Sequence, residues 1–136
     1  MAEPAPILSS DLTGEAVLLA PRVIVDGTVF KMFYSYARAQ DIMDISNLCN
    51  SNNHVRIGYA TSSDGFYWIR SPSNPAVEVG GTGWDADSNA LIVGSVVPRD
   101  GISTSSGFAL YYTTFRNVPV LFNACLPSGI GRATRP

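Results

Sequence analysis

Charge is scarce in this chain. Asp, Glu, Lys and Arg make up 15% of its 136 residues, well under the usual quarter. Nine basic residues against eleven acidic leave a net charge of −2. No basic stripe exists to neutralise phosphates, so a nucleic-acid partner is not expected. No apolar run reaches the roughly 18–20 residues that span a bilayer, so no membrane partner is expected either. The longest candidate, Ala16 to Ile24, is about strand length and holds Pro21. Residues 1–20 contain no Lys or Arg ahead of an apolar stretch, so the basic start of a secretory signal is missing. The expectation is a cytoplasmic protein, or a secreted one whose signal has been removed.

Reactive groups are equally sparse. His54 is the sole histidine. No Ser or Cys signature surrounds it, which leaves a catalytic triad unsupported. Cys49 and Cys125 allow one disulfide at most and are expected as unpaired thiols in loops, a disulfide being the alternative. With His54 they fall short of the three or four clustered ligands zinc requires, so no metal is expected. Gly80-Gly81-Thr82-Gly83 precedes Trp-Asp and carries no Lys, so it is not a phosphate loop. No cofactor is therefore expected. No segment sustains a 3.6-residue apolar period, which excludes a helix-rich fold.

What is present reads as strands and turns. Six Phe, six Tyr and two Trp, with many Val and Ile, are enough to bury a core. Val23-Ile24-Val25-Asp26-Gly27-Thr28-Val29-Phe30 reads as strand, tight turn, strand, Asp-Gly being a strong hairpin signal. Phe30 to Tyr36 is aromatic and strand-like. Asp41 to His54 is polar and Asn-rich, a long loop with room for one helical turn at Asp41–Ser46. Val55 to Thr61 alternates as a third strand. Ser62-Ser63-Asp64-Gly65 is a turn, and Phe66-Tyr67-Trp68-Ile69 opens a fourth strand.

The chain also repeats itself. The segment Asp11–Ala16 matches Asp85–Ala90, and Val23–Gly27 matches Val97–Gly101, both at an offset of 74 residues. The segment Phe30–Ser35 matches Phe108–Thr113 at 78, and Ile57–Thr61 matches Ile130–Thr134 at 73. A repeat of about 74 residues and four strands describes a propeller blade. The expected fold is all-β: about two four-stranded antiparallel blades of a partial β-propeller, in a single domain over 1–136. Residues 3–10 would be the tail strand of a split blade, 11–80 blade one, and 81–136 an incomplete blade two.

The sharpest motif is Thr61-Ser62-Ser63-Asp64-Gly65-Phe66-Tyr67-Trp68. Asp64 is expected to accept turn amides, Gly65 to take positive φ, and Trp68 to pack beneath. The motif is close to the Asp-box of sialidase-type propellers, one residue shorter between Asp and Trp. With Ile57-Gly58-Tyr59-Ala60 before it and Asn74-Pro75 after it, it resembles five-bladed glycoside hydrolases and their relatives: arabinanases, β-xylosidases, fructosidases and mannoside phosphorylases. Gly83-Trp84-Asp85 fits the same blade pattern, and Trp84 and Asp85 are expected as structural caps. The resemblance covers residues 3–134. It implies catalytic carboxylates on innermost strands, one acid and one base or nucleophile. The first of these often precedes a Pro; here the place reads Leu19-Ala20-Pro21-Arg22, with Ala20 where the Asp would be. Repeat two reads Val93-Gly94-Ser95-Val96 there. Among the other carboxylates, Glu15 and Asp87 are the candidate catalytic pair, as rim residues able to reach a channel mouth. Arg22 and Asn89 are the candidate ligand-binding residues. The resemblance then implies a non-catalytic blade module with a carbohydrate-binding or assembly role. The alternative is a glycoside hydrolase-like enzyme with its site formed between chains. The aromatics Phe33, Tyr34, Tyr36, Tyr111 and Tyr112 are expected between blades rather than stacked on sugar.

A partial propeller leaves open strand edges and uncovered blade faces. The expected partner is therefore a second copy of the chain, as a trimer of about six blades or as a dimer. The segment Glu3–Leu8 resembles Asn74–Val79 and is expected to complete the second blade, of its own chain or of a neighbour.

Overall fold

A computed structural model of the chain describes residues 8, 15–41, 54–80, 89–118 and 124–135. Seven strands run in chain order: β1 (Glu15–Asp26), β2 (Val29–Arg38), β3 (Arg56–Ser62), β4 (Ile69–Arg70), β5 (Ala90–Pro98), β6 (Phe108–Val118) and β7 (Ala124–Arg135). They form two antiparallel sheets, ordered β1-β2-β3-β4 and β5-β6-β7. The all-β expectation holds, with four strands in the first sheet and three in the second. The only helical elements among the described residues are short 3-10 turns at Ala39–Asp41 and Thr104–Ser106. The first lies at the start of the Asn-rich loop; residues 42–53, including Cys49, fall outside the described residues, as does the side chain of Cys125.

The Asp26-Gly27 hairpin forms as expected, with Gly27 at φ +59° and Lys31 bonded to Asp26 at 2.7 Å. The fourth strand differs from expectation. Phe66 and Tyr67 do not extend it, because their amides are taken by the Asp64 carboxylate and have no proton left for a ladder. Pairing begins only at Ile69, opposite Thr61.

The registers bring the two sheets into correspondence. Tyr34 faces Gly58 in the first sheet, and Tyr112 faces Gly131 in the second. Each tyrosine ring lies over its glycine: a Cβ on Gly58 would stand 2.7 Å from the Tyr34 ring, and one on Gly131 2.6 Å from the Tyr112 Oη. A bare backbone under an aromatic ring is a known device for pinning strand register. The first strands are related differently from expectation. Arg22 pairs with Phe33 and Ser95 with Tyr111, so Arg22 corresponds to Ser95 and the offset is 73 rather than 74. One residue of slip exchanges the two faces of a strand. The sequence match at 74 followed the Asp-Gly turns, whose loops differ in length. Both first strands carry a two-against-one bulge at the same place. Ala20-Pro21 oppose Tyr34, and Val93-Gly94 oppose Tyr112.

The sheets pack face to face. Phe33, Ile57 and Tyr59 of the first meet Leu91, Val93, Leu110 and Tyr112 of the second. The far face of the first sheet buries Met32, Tyr34, Tyr36 and Ala60 beneath Leu8, Leu18 and Trp68. Leu8 is the one described residue of the segment expected to complete the second blade, and it lies on this face; residues 1–7 are outside the described residues.

Gly58→Ala forces the buried Tyr34 ring to move, and overpacking of this kind costs about 1–3 kcal/mol. Gly131→Ala meets the tighter contact and is expected to cost at least as much. Equilibrium denaturation with urea measures both; a loss below 0.5 kcal/mol in each would contradict the packing described.

Candidate functional site

The Asp64 turn is a clamp built from side-chain oxygens. Asp64 Oδ1 accepts the amides of Phe66 at 2.8 Å and Tyr67 at 2.9 Å. Ser62 Oγ accepts the Gly65 amide at 2.8 Å and donates to Asp64 Oδ1 at 3.0 Å. Gly65 takes φ +80°, which an L side chain resists. Trp68 donates its indole N–H to the Gly65 carbonyl at 3.0 Å and packs on the far face of the first sheet. The amides of Tyr67 and then Phe66 hold the Asp64 carboxyl below its ordinary range. The turn therefore performs the structural role its motif suggested. It also does what the sequence reading did not anticipate: it holds Phe66 and Tyr67 out in solvent, 63% and 82% exposed. Beside them, Val29, Thr61, Ser63 and Ile69 line a shallow depression with Tyr67. The missed signal was the pair of aromatics directly after Asp-Gly, where the amides are committed to Asp64 and the side chains must splay outward.

The same device recurs at Asp100, whose Oδ1 accepts the amides of Ile102 and Ser103 at 2.9 Å each. Gly101 takes φ +78°. The amides of Ser103 and Ile102 hold the Asp100 carboxyl low in turn.

Glu15 is not the solvated rim carboxylate expected of it. It is 5% exposed, and it is neutralised by Arg70, whose Nε lies 3.0 Å from Oε2. Tyr34 donates to its Oε1 at 3.3 Å. Asn74 Nδ2 in turn donates to Tyr34 Oη at 3.3 Å, while Asn74 Oδ1 accepts the Tyr59 amide at 2.9 Å. Burial first, and then the Glu15 charge, push the Tyr34 phenol well above its ordinary pKa. Asp87, the other catalytic candidate, lies outside the described residues, as do Trp84 and Asp85.

Of the binding candidates, Arg22 is exposed but occupied. Its Nε donates to the Gly94 carbonyl at 2.6 Å and its Nη1 to the Pro21 carbonyl at 2.8 Å, so it bolts one bulge to the other. Asn89 works through its backbone: it donates to the Phe115 carbonyl at 2.8 Å and accepts the Val55 amide at 3.0 Å, which joins the sheets at the start of β5. The structure does not bring Arg22 and Asn89 together as one site. Phe33, Tyr34, Tyr36 and Tyr112 are buried, whereas Tyr111 is exposed. A second charged cluster closes one end of the first sheet. Arg56, itself buried, bonds Asp41 at 2.6 Å and Glu78 at 2.5 Å, and Arg38 bonds Asp41 at 2.7 Å. Burial acts to raise the Asp41 carboxyl, but the Arg38 bond and the Arg56 charge outweigh it and hold it low. Among the described residues, no three His, Cys, Asp or Glu side chains group to hold a metal.

No family model, curated protein or solved structure matches the chain.

Two outcomes test this account. Arg70→Met strands the buried Glu15 carboxylate, and loss of one partner of a buried pair costs about 3–5 kcal/mol. The Glu15→Gln, Arg70→Met double variant should recover part of that loss by chemical denaturation. For the turn, a depressed carboxyl contributes stability above the unfolded Asp value of about 3.9 and loses it as pH falls through the folded value. Asp64→Asn should therefore melt below wild type at pH 7, and the gap should close as the pH is lowered beneath 4. A gap independent of pH would contradict the carboxylate's role.

Proposed function

We propose that the chain is a non-catalytic module of propeller-blade type that binds carbohydrate through the aromatic turn Phe66–Tyr67. The observation that carries this reading is a contrast. Every carboxylate among the described residues is committed to a structural partner: Glu15 to Arg70, Asp26 to Lys31, Asp41 and Glu78 to Arg56, and Asp64 and Asp100 to turn amides. Phe66 and Tyr67 instead stand in solvent, their backbone amides held by the Asp64 clamp. An exposed aromatic face offers stacking area, and an aromatic side chain has only two χ angles to immobilise on binding.

Sugar rings present such an apolar face together with hydroxyls, and Thr61 and Ser63 line the adjoining depression. The first-strand bulge supports the non-catalytic part. Ala20 and Pro21 occupy it, and Ala20 has no group that could transfer a proton or attack an anomeric carbon. A glycosidase shared between chains would have to free Glu15 from both Arg70 and Tyr34.

A glycan array followed by titration of the best oligosaccharide tests the reading, with hydrolysis of aryl glycosides assayed in parallel. Wild type should bind without hydrolysis. Tyr67→Ala should weaken binding by at least about tenfold, as truncation of an aromatic anchor does, with melting unchanged. Turnover of any aryl glycoside that is lost in Glu15→Gln would replace this reading with the enzymatic one.

A further inference from the structure

The two sheets of the chain meet through unlike faces. The first contributes Phe33, Ser35 and Ile57, and the second contributes Leu91, Leu110 and Tyr112. The registers give each residue a counterpart in the other sheet. The counterparts of Leu91, Leu110 and Tyr112 are Leu18, Met32 and Tyr34, which lie on the far face of the first sheet. The counterparts of Phe33, Ser35 and Ile57 are Tyr111, Thr113 and Ile130, on the outward face of the second. The junction is thus head-to-tail, and each chain carries one further copy of both halves.

We propose that a second copy of the chain docks the Leu18–Val23 strip of its β1 on the Tyr111–Thr113–Ile130 face of the first. The contact repeats between chains the one that joins the sheets within a chain. Met32 and Tyr34 are already buried within the chain, so the contact falls on the exposed part of β1, and three features fit it. Ile130 is 70% exposed, and diagonal to it on the same face stands Tyr111, with the Arg132 guanidinium over its ring and bonded to its Oη at 3.2 Å; an exposed apolar side chain beside an aromatic–arginine pair is of the kind that marks protein contacts. Opposite, Val23 is 48% exposed at the edge of an apolar groove of about 310 Å³ lined by Leu18, Pro21 and Met32. Leu8 lines the same groove and Trp68 packs on the Met32–Tyr34–Tyr36–Ala60 cluster, so the part of β1 along that groove that stands in solvent is Pro21 and Val23. Within the chain it is likewise the first strands, β1 and β5, that Arg22 ties together. Finally, Thr113 carries a hydroxyl at the position from which Ser35 bonds the backbone of β5.

A head-to-tail contact is not closed by a twofold axis, so copies continue into a ring or an open run. The inference stands on the sheet faces alone and is independent of the carbohydrate reading.

Sedimentation velocity and native mass spectrometry across micromolar concentrations test it on the full chain. Wild type should associate. Val23→Glu, on one half of the contact, and Ile130→Glu, on the other, should each be monomeric, with melting close to wild type because both side chains are exposed. An equimolar mixture of the two variants should form dimers, since one intact junction remains between them. A wild type that stays monomeric overturns the proposal, as does association that survives both substitutions. Failure of the mixture to dimerise would also overturn it, by indicating a twofold contact. Oligosaccharide titration of the same variants separates the two ideas, because Tyr67 is remote in sequence from both substitutions and binding should persist in the monomers.

Discussion

The Ser35 hydroxyl donates to the Leu91 carbonyl at 2.8 Å and accepts the Val93 amide at 3.0 Å, both in β5. It sits fully buried between the sheets, in surroundings otherwise made of Phe, Ile, Leu and Tyr. Apolar faces alone would allow several registers, since the hydrophobic effect has no direction. The hydroxyl removes that freedom. Sliding β5 by one residue would strand a buried donor and acceptor, at about 1–3 kcal/mol for each. A small side chain is also what lets β5 come this close to β2. With that register set, the two bulges lie side by side and Arg22 reaches from one to the other.

The bulges carry the chain's one non-glycine residue at positive φ among the described residues: Ala20, at +51°. For an L residue this region costs about 1–2 kcal/mol. The bulge persists because the strand is over-determined on both sides, by pairing at Leu19 and Arg22 and by the Arg22 bond to Gly94. In the second sheet the corresponding bulge holds Val93 and Gly94 without a positive φ. The irregularity thus belongs to the repeated unit, and its strain to one copy.

Much of this was legible in the sequence, and the limits have physical causes. The repeat exposed the architecture because its strongest blocks contain Tyr34 with Gly58 and Tyr112 with Gly131, residues that constrain one another across strands. The Asp64 turn was legible because Ser, Asp, Gly and Trp each have one local task there. The first-strand offset was not. Both first strands carry the bulge, so it shifts neither against the other; the slip arises because the Asp-Gly turns that suggested the alignment sit in loops of unequal length. Glu15 was misplaced for a different reason. Its neutralising partner, Arg70, lies on β4 and reaches it only after β1, β2, β3 and β4 have aligned in order. Pairwise charge across a sheet is a tertiary fact that no local pattern announces.

The strand orders β1-β2-β3-β4 and β5-β6-β7 follow the chain without crossover. Every ladder is therefore closed by the segment that directly links its two strands, and each sheet assembles from sequential contacts at low loop-closure entropy. Contacts between sheets, such as Ser35 with Leu91 across 56 residues and Val55 with Asn89 across 34, gain from closure only when both ladders exist. Sequential topology of this kind favours formation of the two meanders ahead of their docking. Substitutions at the intersheet seam then act chiefly on the rate of unfolding, while those within a hairpin act on the rate of folding.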